Sequence, residues 1–326
     1  SEVLVLAREL NLTQVKKINY FKLFQDDLKH FNIYASNASS KFISRKLNEI
    51  LGITNEEHFT FVMDLIKKGD SNFAINFMEQ FKGIKPEQHK EIVLKIIDST
   101  SQLEFLCKNF NKFTGMKKED HEEILFKIID KIKESGYHGL SFINNFQNFN
   151  GIPKNKYEFF VLKMIDAGFS FEVLKNFEMF NGKTEEEKKQ INLNHENVIN
   201  KLIEKGNIDA LCHYFQIFNV PESKHEKIIV DIFKRNVSLS DIPRSFEKFT
   251  GVPKEKHEQI AIDLIRKNHN ACESVFLNFH KFTGIPKEHH FHLISLMIKQ
   301  AEHIHPGLLE KLSYFEGITQ EQLLPI

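Results

Sequence analysis

Four histidines in this chain are followed directly by glutamate: His121-Glu122, His195-Glu196, His225-Glu226 and His257-Glu258; His89 has Glu91 two residues on. On a helix, such a pair with a second histidine four residues after the first holds zinc between two rings and leaves the glutamate as general base of a hydrolase. The position that must carry the second ring holds Val93, Leu125, Ile199, Ile229 and Ala261, so the zincin motif is absent. A denser group follows in His280, His289, His290, His292, His303 and His305. His289 and His292 share a helical face, which offers an adventitious metal site at most. No glycine-rich phosphate loop, nucleophile elbow or dinucleotide fingerprint is present. The chain reads as non-enzymatic, with no cofactor and no functional metal.

The histidines recur with their surroundings. Lys281–His290 reads KFTGIPKEHH, Lys248–His257 KFTGVPKEKH and Lys112–His121 KFTGMKKEDH. Anchored on the glycine, the unit recurs at Gly52, Gly83, Gly115, Gly151, Gly182, Gly251, Gly284 and Gly317, with a glycine-less copy at Phe218-Asn219-Val220-Pro221. The mean period is about 33 residues, the length of a two-helix repeat whose hairpins bury their apolar faces only against one another.

Counting from the histidine, apolar residues fall at 0, +3, +4, +7 and +8, as in His257, Ile260, Ala261, Leu264 and Ile265, and in His121, Ile124, Leu125, Ile128 and Ile129. That spacing is one stripe of an α-helix, helix A. A second helix, B, follows a polar link, with Leu103, Leu106, Cys107, Phe110 and Phe113 as its stripe in one unit. It ends in FxxF (Phe146/Phe149, Phe177/Phe180, Phe215/Phe218, Phe246/Phe249, Phe279/Phe282), read as a stacked core; the chain has 32 Phe and no Trp. In the connection the expected roles are Thr250 as C-cap, Gly251 as a left-handed residue, Val252 as its apolar contact and Pro253 as the first residue of helix A. Where proline is missing, Thr54–Glu57 and Thr319–Gln322 offer capping boxes. The period breaks at a longer link around Lys131–Ser141 and at Lys183–Asn194 (KTEEEKKQINLN), an exposed loop or helix extension in which a binding role is open.

The repeat histidines are His58, His89, His121, His195, His225, His257 and His290, with Tyr157 in the remaining unit. Equivalent residues of stacked hairpins lie about 10 Å apart, whereas zinc draws its nitrogens to about 2 Å. The expected role is therefore structural, with each ring half buried and bonded to a loop or helix-end carbonyl of the neighbouring hairpin. At +6 the units carry Asp64, Lys95, Lys127, Lys163, Lys201, Asp231, Asp263 and Leu296. Four consecutive lysines would form a basic ladder suited to phosphates or an acidic peptide. At +9 stand Lys67, Asp98, Asp130, Asp166, Glu204, Lys234, Arg266 and Lys299, opposite in sign wherever +6 is charged. Compensated i, i+3 pairs on an exposed face are the competing reading.

Lysine plus arginine and aspartate plus glutamate both number 44, so net charge gives no pull toward nucleic acid or anionic membrane. No apolar run is long enough to cross a bilayer and no signal peptide opens the chain, so no membrane partner is expected. Three cysteines (Cys107, Cys212, Cys272) without CxxC spacing point to free thiols in a reducing, intracellular compartment: the cytoplasm, or a host cell if the chain is a secreted effector. The chain opens on Ser1 and ends in LLPI as a new unit begins, which reads as an excerpt of a longer repeat protein.

Leu65-Ile66-Lys67-Lys68-Gly69, Phe73–Gly83 and Ile84-Lys85-Pro86 resemble the link, second helix and Gly-Ile-x-Pro turn of pentatricopeptide repeats, as do Leu202–Gly206 and Asp209-Ala210-Leu211. The layout over residues 37–317 is similar to that family and to tetratricopeptide repeats, and Gly317–Gln322 resembles the opening of a TAL-effector repeat. Departures are specific. The pentatricopeptide family reads RNA with small polar residues near the start of helix A. Here +2 holds Thr60, Glu91, Glu123, Phe159, Asn197, Lys227, Gln259 and His292, which form no such code. The tetratricopeptide Trp and Leu-Gly pairs and the TAL-effector Gly-Gly are missing.

The expected fold is all-α, a right-handed α-solenoid of about eight helical hairpins with a period near 33 residues. Residues 1–36 form an N-terminal helical cap, 37–317 one continuous superhelical domain, and 318–326 a further repeat or truncated end. The expected function is a scaffold binding a protein or peptide along its groove; divergent nucleic-acid binding, RNA or DNA, is the alternative. The resemblance to tetratricopeptide-type solenoids implies that helix A lines the concave face, with Lys95, Lys127, Lys163, Lys201, Glu91, Glu123, Asn197 and Gln259 as the contact residues.

Overall fold

A computed structural model describes residues 55–99, 102–135, 139–235, 237–300, 314–316 and 318. The expected N-terminal cap, Gly52, Gly317, His303, His305 and most of 318–326 lie outside these residues. The described residues are helical, with no strand among them. The chain divides into two compact units, Ser1–Gly151 and Ile152–Ile326.

In the first unit the A helices are α1 (Asn55–Lys67), α3 (Pro86–Asp98) and α5 (Lys118–Ser135), and the B helices are α2 (Ser71–Asn76), α4 (Leu103–Lys108) and α6 (Gly139–Asn144). Each A helix packs on the next A helix and each B helix on the next B helix. The second unit alternates in the same way: α7 (Tyr157–Asp166), α8 (Ser170–Lys175), α9 (Phe177–Asn181), α10 (Glu185–Ile191), α11 (His195–Glu204), α12 (Ile208–Tyr214), α13 (His225–Phe233), α14 (Asp241–Arg244), α15 (His257–Lys267), α16 (His269–Leu277) and α17 (His290–Gln300). Here α7 packs on α11 and α15 on α17, while α8, α12, α14 and α16 follow one another.

The A stripe behaves as its spacing predicts: Ile92, Val93, Ile96 and Ile97 of α3 are buried, as are Ile260, Ala261, Leu264 and Ile265 of α15. B differs from the single helix expected. In most units it is a short α-helix followed by a separate 3-10 turn that begins at the first phenylalanine of FxxF, as in α4 and Phe110–Lys112; at Phe177–Asn181 the second piece is itself α-helical, α9. The break places the first phenylalanine of one unit over the second of the next: Phe110 on Phe149 at 4.1 Å, Phe215 on Phe249 at 4.3 Å, Phe246 on Phe282 at 4.1 Å and Phe279 on Phe315 at 4.0 Å.

The glycine's role also differs from the expected left-handed cap. Positive φ occurs at Gly69, Gly168 and Gly206, which end helix A, and at Gly182. At the end of α1, for example, Gly69 N–H donates to the Ile66 carbonyl and Asp70 N–H to that of Leu65, closing the last turn. The turn glycines Gly115, Gly151, Gly251 and Gly284 are not left-handed. What requires glycine there is contact. A Cβ on Gly151 would stand 2.7 Å from the His121 ring, and one on Gly251 or Gly284 would be driven into the carbonyl of Glu222 or Lys254 in the preceding hairpin.

That approach brings the glycine N–H onto the histidine. Gly83, Gly151, Gly251 and Gly284 donate to Nδ1 of His58, His121, His225 and His257 at 3.0–3.1 Å, and Glu316 N–H donates to His290 Nδ1 at 3.0 Å. At Nδ1 the partner of these five is thus an N–H and not the expected carbonyl: Nδ1 accepts, so the ring is neutral and carries its proton on Nε2. In His225 and His257 that Nε2 reaches the Val220 and Val252 carbonyls at 3.1 and 3.4 Å. For His121, His225, His257 and His290 the preceding phenylalanine meets the ring edge to face, as in Phe246–His257 at 4.9 Å and Phe110–His121 at 5.2 Å. Three joints deviate. His89 turns its Cδ2 edge to Gly115 and leaves Nδ1 buried without a partner; half a turn about χ2 exchanges those atoms. Beside Tyr157, Gly182 N–H donates to the Glu178 carbonyl instead. In the glycine-less copy His195 Nδ1 meets the Phe218 carbonyl at 2.8 Å, the one case of the expected kind, and Asn219 takes the left-handed turn at φ 45°.

Two predictions follow from the joint. Gly284→Ala forces the hairpins apart and lowers stability by about 1–3 kcal/mol. Gly69→Ala, with open space around it but φ +89°, costs about 1 kcal/mol. Urea unfolding separates the two, and equal losses would place the cost in backbone conformation and not in contact. The second concerns pH. Burial lowers the pKa of His89, His121 and His257, so the folded chain refuses protons that the unfolded chain accepts below about pH 6.5. Stability is therefore retained above that pH and falls as the pH drops through it. His257→Phe leaves the Gly284 N–H without an acceptor, costs about 1–3 kcal/mol and flattens the acid slope; a slope unchanged in this variant would detach the pH response from the joint.

Candidate functional site

The joint consumes one face of helix A, and the candidate partner residues lie on the other. Glu91, Lys95, Glu123, Lys127, Lys163, Asn197 and Gln259 are exposed and Lys201 is half-buried. The first four belong to the neighbouring helices α3 and α5. Lys163, Asn197 and Lys201 lie on α7 and α11, which also pack together, and Gln259 stands on α15.

Charge compensation at +6 and +9 is realised only in places. Asp64–Lys67 (3.7 Å), Lys201–Glu204 (3.3 Å) and Asp231–Lys234 (2.7 Å) form within a helix. Lys163 does not use Asp166; it lies 5.8 Å over the Phe159 ring, and Asp166 takes Lys201 at 3.0 Å and Lys205 at 2.7 Å. Burial works against the Asp166 carboxylate, but the hydrogen bonds from Lys205 and Lys201 outweigh it and hold its pKa below the usual range. Lys127 lies 3.9 Å from Glu123. Asn197 donates to Glu158 and Gln259 to Asp263. Glu91 and Lys95 form no ion pair among the described residues.

After His195, His225 and His257 the glutamate has a different task from a general base. It reaches the residue just before the next repeat histidine: Glu196–Lys224 at 2.7 Å, Glu226–Lys256 at 3.8 Å and Glu258–His289 at 2.7 Å. In α3 the signs are reversed, Lys90 meeting Asp120 at 2.8 Å and also Glu123 at 2.7 Å. The hydrogen bond to Asp120, then that to Glu123, raises the Lys90 pKa. Glu158 accepts from Asn194 N–H at 2.9 Å in the corresponding place. His289, half of the adventitious metal pair, is thereby engaged, and no group of three or more metal-binding side chains exists among the described residues.

Three further features escaped the sequence reading. The lysine of KFTG caps the preceding B helix: Lys248 Nζ donates to the Cys212 and His213 carbonyls at 3.1 and 2.6 Å, Lys112 to that of Asn76 at 3.4 Å, and Lys281 to that of Arg244. Its recurrence in the quoted repeats was the available signal. KTEEEKKQINLN forms a helix of its own, α10, capped by Thr184 and packed on the turn Lys154–Lys156, with Ile191 buried. Between the insertion and the glycine-less turn a cleft opens, lined by Asn194, His195, Ile199, Phe218, Lys227 and Asp231 among others. The third is an apolar row off the buried stripe. Position +5 holds Met63, Leu94 and Phe126 in the first unit, all half-buried; in the second, Leu162 and Ile262 are half-buried and Val230 is 41% exposed.

Cys107, Cys212 and Cys272 are free and buried. Burial pushes the thiols of Cys107 and Cys272 up to about 12 and about 11, so they stay protonated at neutral pH. No helix among the described residues is long and apolar enough to cross a membrane. Compared with protein-family models, with curated proteins and with solved structures, the chain matches none.

Proposed function

We propose that the chain is a right-handed α-solenoid of about eight hairpins, continuous over residues 37–317, and that it acts as a non-enzymatic scaffold for a protein or peptide. The carrying observation is the division of labour along helix A. Residues that repeat (the histidine, the apolar stripe and the turn glycine) are occupied in joints, and the exposed or half-buried positions +2, +5 and +6 change from unit to unit. A surface varied on a constant frame is what a repeat scaffold offers a partner. The resemblance to pentatricopeptide and tetratricopeptide repeats supports the same reading, as do buried unpaired thiols for a reducing compartment.

Nucleic-acid binding draws on Lys95, Lys127, Lys163 and Lys201. Acidic neighbours of Lys127 and Lys201 weaken the field such a ladder would present. The readings separate by titration against peptides selected from a random library and against short single-stranded DNA and RNA. For the scaffold, Glu91→Lys or Lys95→Glu weakens a selected peptide at least tenfold with the urea midpoint unchanged. Oligonucleotide binding that falls steeply with salt and disappears on Lys127→Glu with Lys163→Glu, beside peptides indifferent to Glu91 and Lys95, would replace it.

A further inference from the structure

The +5 row runs without interruption through the described A helices of the first unit. Met63, Leu94 and Phe126 are half-buried on α1, α3 and α5, which pack in succession. In the second unit Asn200 and Ser295 interrupt it. On a helix of 3.6 residues per turn, +2, +5 and +6 fall within about 100° of one another, so the row shares the outer face with the charged positions.

Charge gives this face two sides. Glu91 and Glu123 at +2 stand toward the N-terminal ends of α3 and α5, and Lys95 and Lys127 at +6 one turn toward the C-terminal ends, about 6 Å along the axis. A segment laid across the A helices, along their stacking direction, has glutamates on one flank, lysines on the other and the apolar row between. Glu91 and Lys95 bracket Leu94 and have no ion partner among the described residues.

The shape of the occupant follows. Packed helices are about 8–10 Å apart, and residues seven apart on an α-helix rise about 10.5 Å on one face. An extended strand turns alternate side chains to opposite faces and so offers this surface one row. An α-helix offers three adjacent rows, since residues three and four apart are neighbours. We propose that Met63, Leu94 and Phe126, with Glu91 and Lys95, form a docking site for one amphipathic helix of a partner protein. Its apolar residues recur every seven, with basic residues along the Glu91 flank and acidic residues along the Lys95 flank. The proposal rests on the reading that the outer faces of the A helices receive the partner.

The probe is a synthetic helix of about 21 residues, three heptads, with Leu at each seventh position, Lys on one flank and Glu on the other. Two companions are used: one with Glu on both flanks, one broken by a central Pro. Fluorescence anisotropy on the full chain should show the mixed-flank helix binding at least tenfold tighter than the Pro-broken one. Leu94→Asp weakens it at least tenfold, and Glu91→Lys switches preference to the peptide with Glu on both flanks. A change that merely perturbs folding would not switch flank preference, and the urea midpoint of each variant is measured alongside. If the Pro-broken peptide binds equally and Leu94→Asp still weakens it, the helical occupant is overturned and the A-face reading stands. If no peptide binds and Leu94→Asp changes nothing, both are overturned.

Discussion

The interaction on which the rest depends is the hydrogen bond from the backbone N–H of one joint to the Nδ1 of the histidine one hairpin earlier. A buried donor must find an acceptor, and an orphaned one costs about 1–3 kcal/mol. An FTG glycine such as Gly284, packed against the preceding hairpin, has little room for water. Imidazole suits the place because it is both aromatic and, when neutral, an acceptor on one edge and a donor on the other. His257 shows both at once, with Phe246 against its ring, Gly284 N–H at Nδ1 and the Val252 carbonyl at Nε2. Glycine, histidine and phenylalanine thus recur together because each satisfies a need the other two create.

Much of this was legible in the sequence, and what was missed shares a cause. Period, helix A and the buried stripe follow from local spacing, which the chain writes plainly in Ile260, Ala261, Leu264 and Ile265. The FTG glycine was misread as a left-handed cap because glycine serves two unrelated needs, positive φ and close approach, and sequence cannot distinguish them. The left-handed caps were in view at Gly69 and Gly206, inside stretches read only as a link. The histidine's place on the buried stripe was legible, but the rings expected to be half buried are buried in every unit except that of His195, and the partner was not legible, since imidazole donates and accepts equally well.

Charge shows the same division. Spacing within a helix suggested pairs at +6 and +9, and Asp64–Lys67 and Asp231–Lys234 obey it. Elsewhere an acid goes to the adjacent hairpin, as Asp166 does to Lys201 and Lys205. Exposed pairs are worth under about 1 kcal/mol wherever they form, so small differences in reach decide the partner. The link from Glu226 to Lys256 crosses about thirty positions of sequence, where helix periodicity is silent and only the repeat itself, compared unit by unit, carries the signal. Lys90 with Asp120, where the signs are exchanged together, is that signal in its clearest form.

The A-face residues were found for a reason that explains the omission of the row beside them. Glu91 and Lys95 stood out because charge on a helix is conspicuous, whereas Leu94 passed as one more apolar residue among 41% of the chain. Its position sets it apart. It lies one residue past Val93 on the buried stripe, and the 100° turn that separates them leaves Val93 in the core and Leu94 half in water. A single half-exposed leucine needs no explanation. Three apolar side chains, Met63, Leu94 and Phe126, at the same offset on consecutive packed helices, beside Glu91 and Lys95 of opposite sign, are positioned by the same joints that hold the hairpins at fixed spacing. The joint that consumes the histidine and glycine also sets the spacing at which Met63, Leu94 and Phe126 recur.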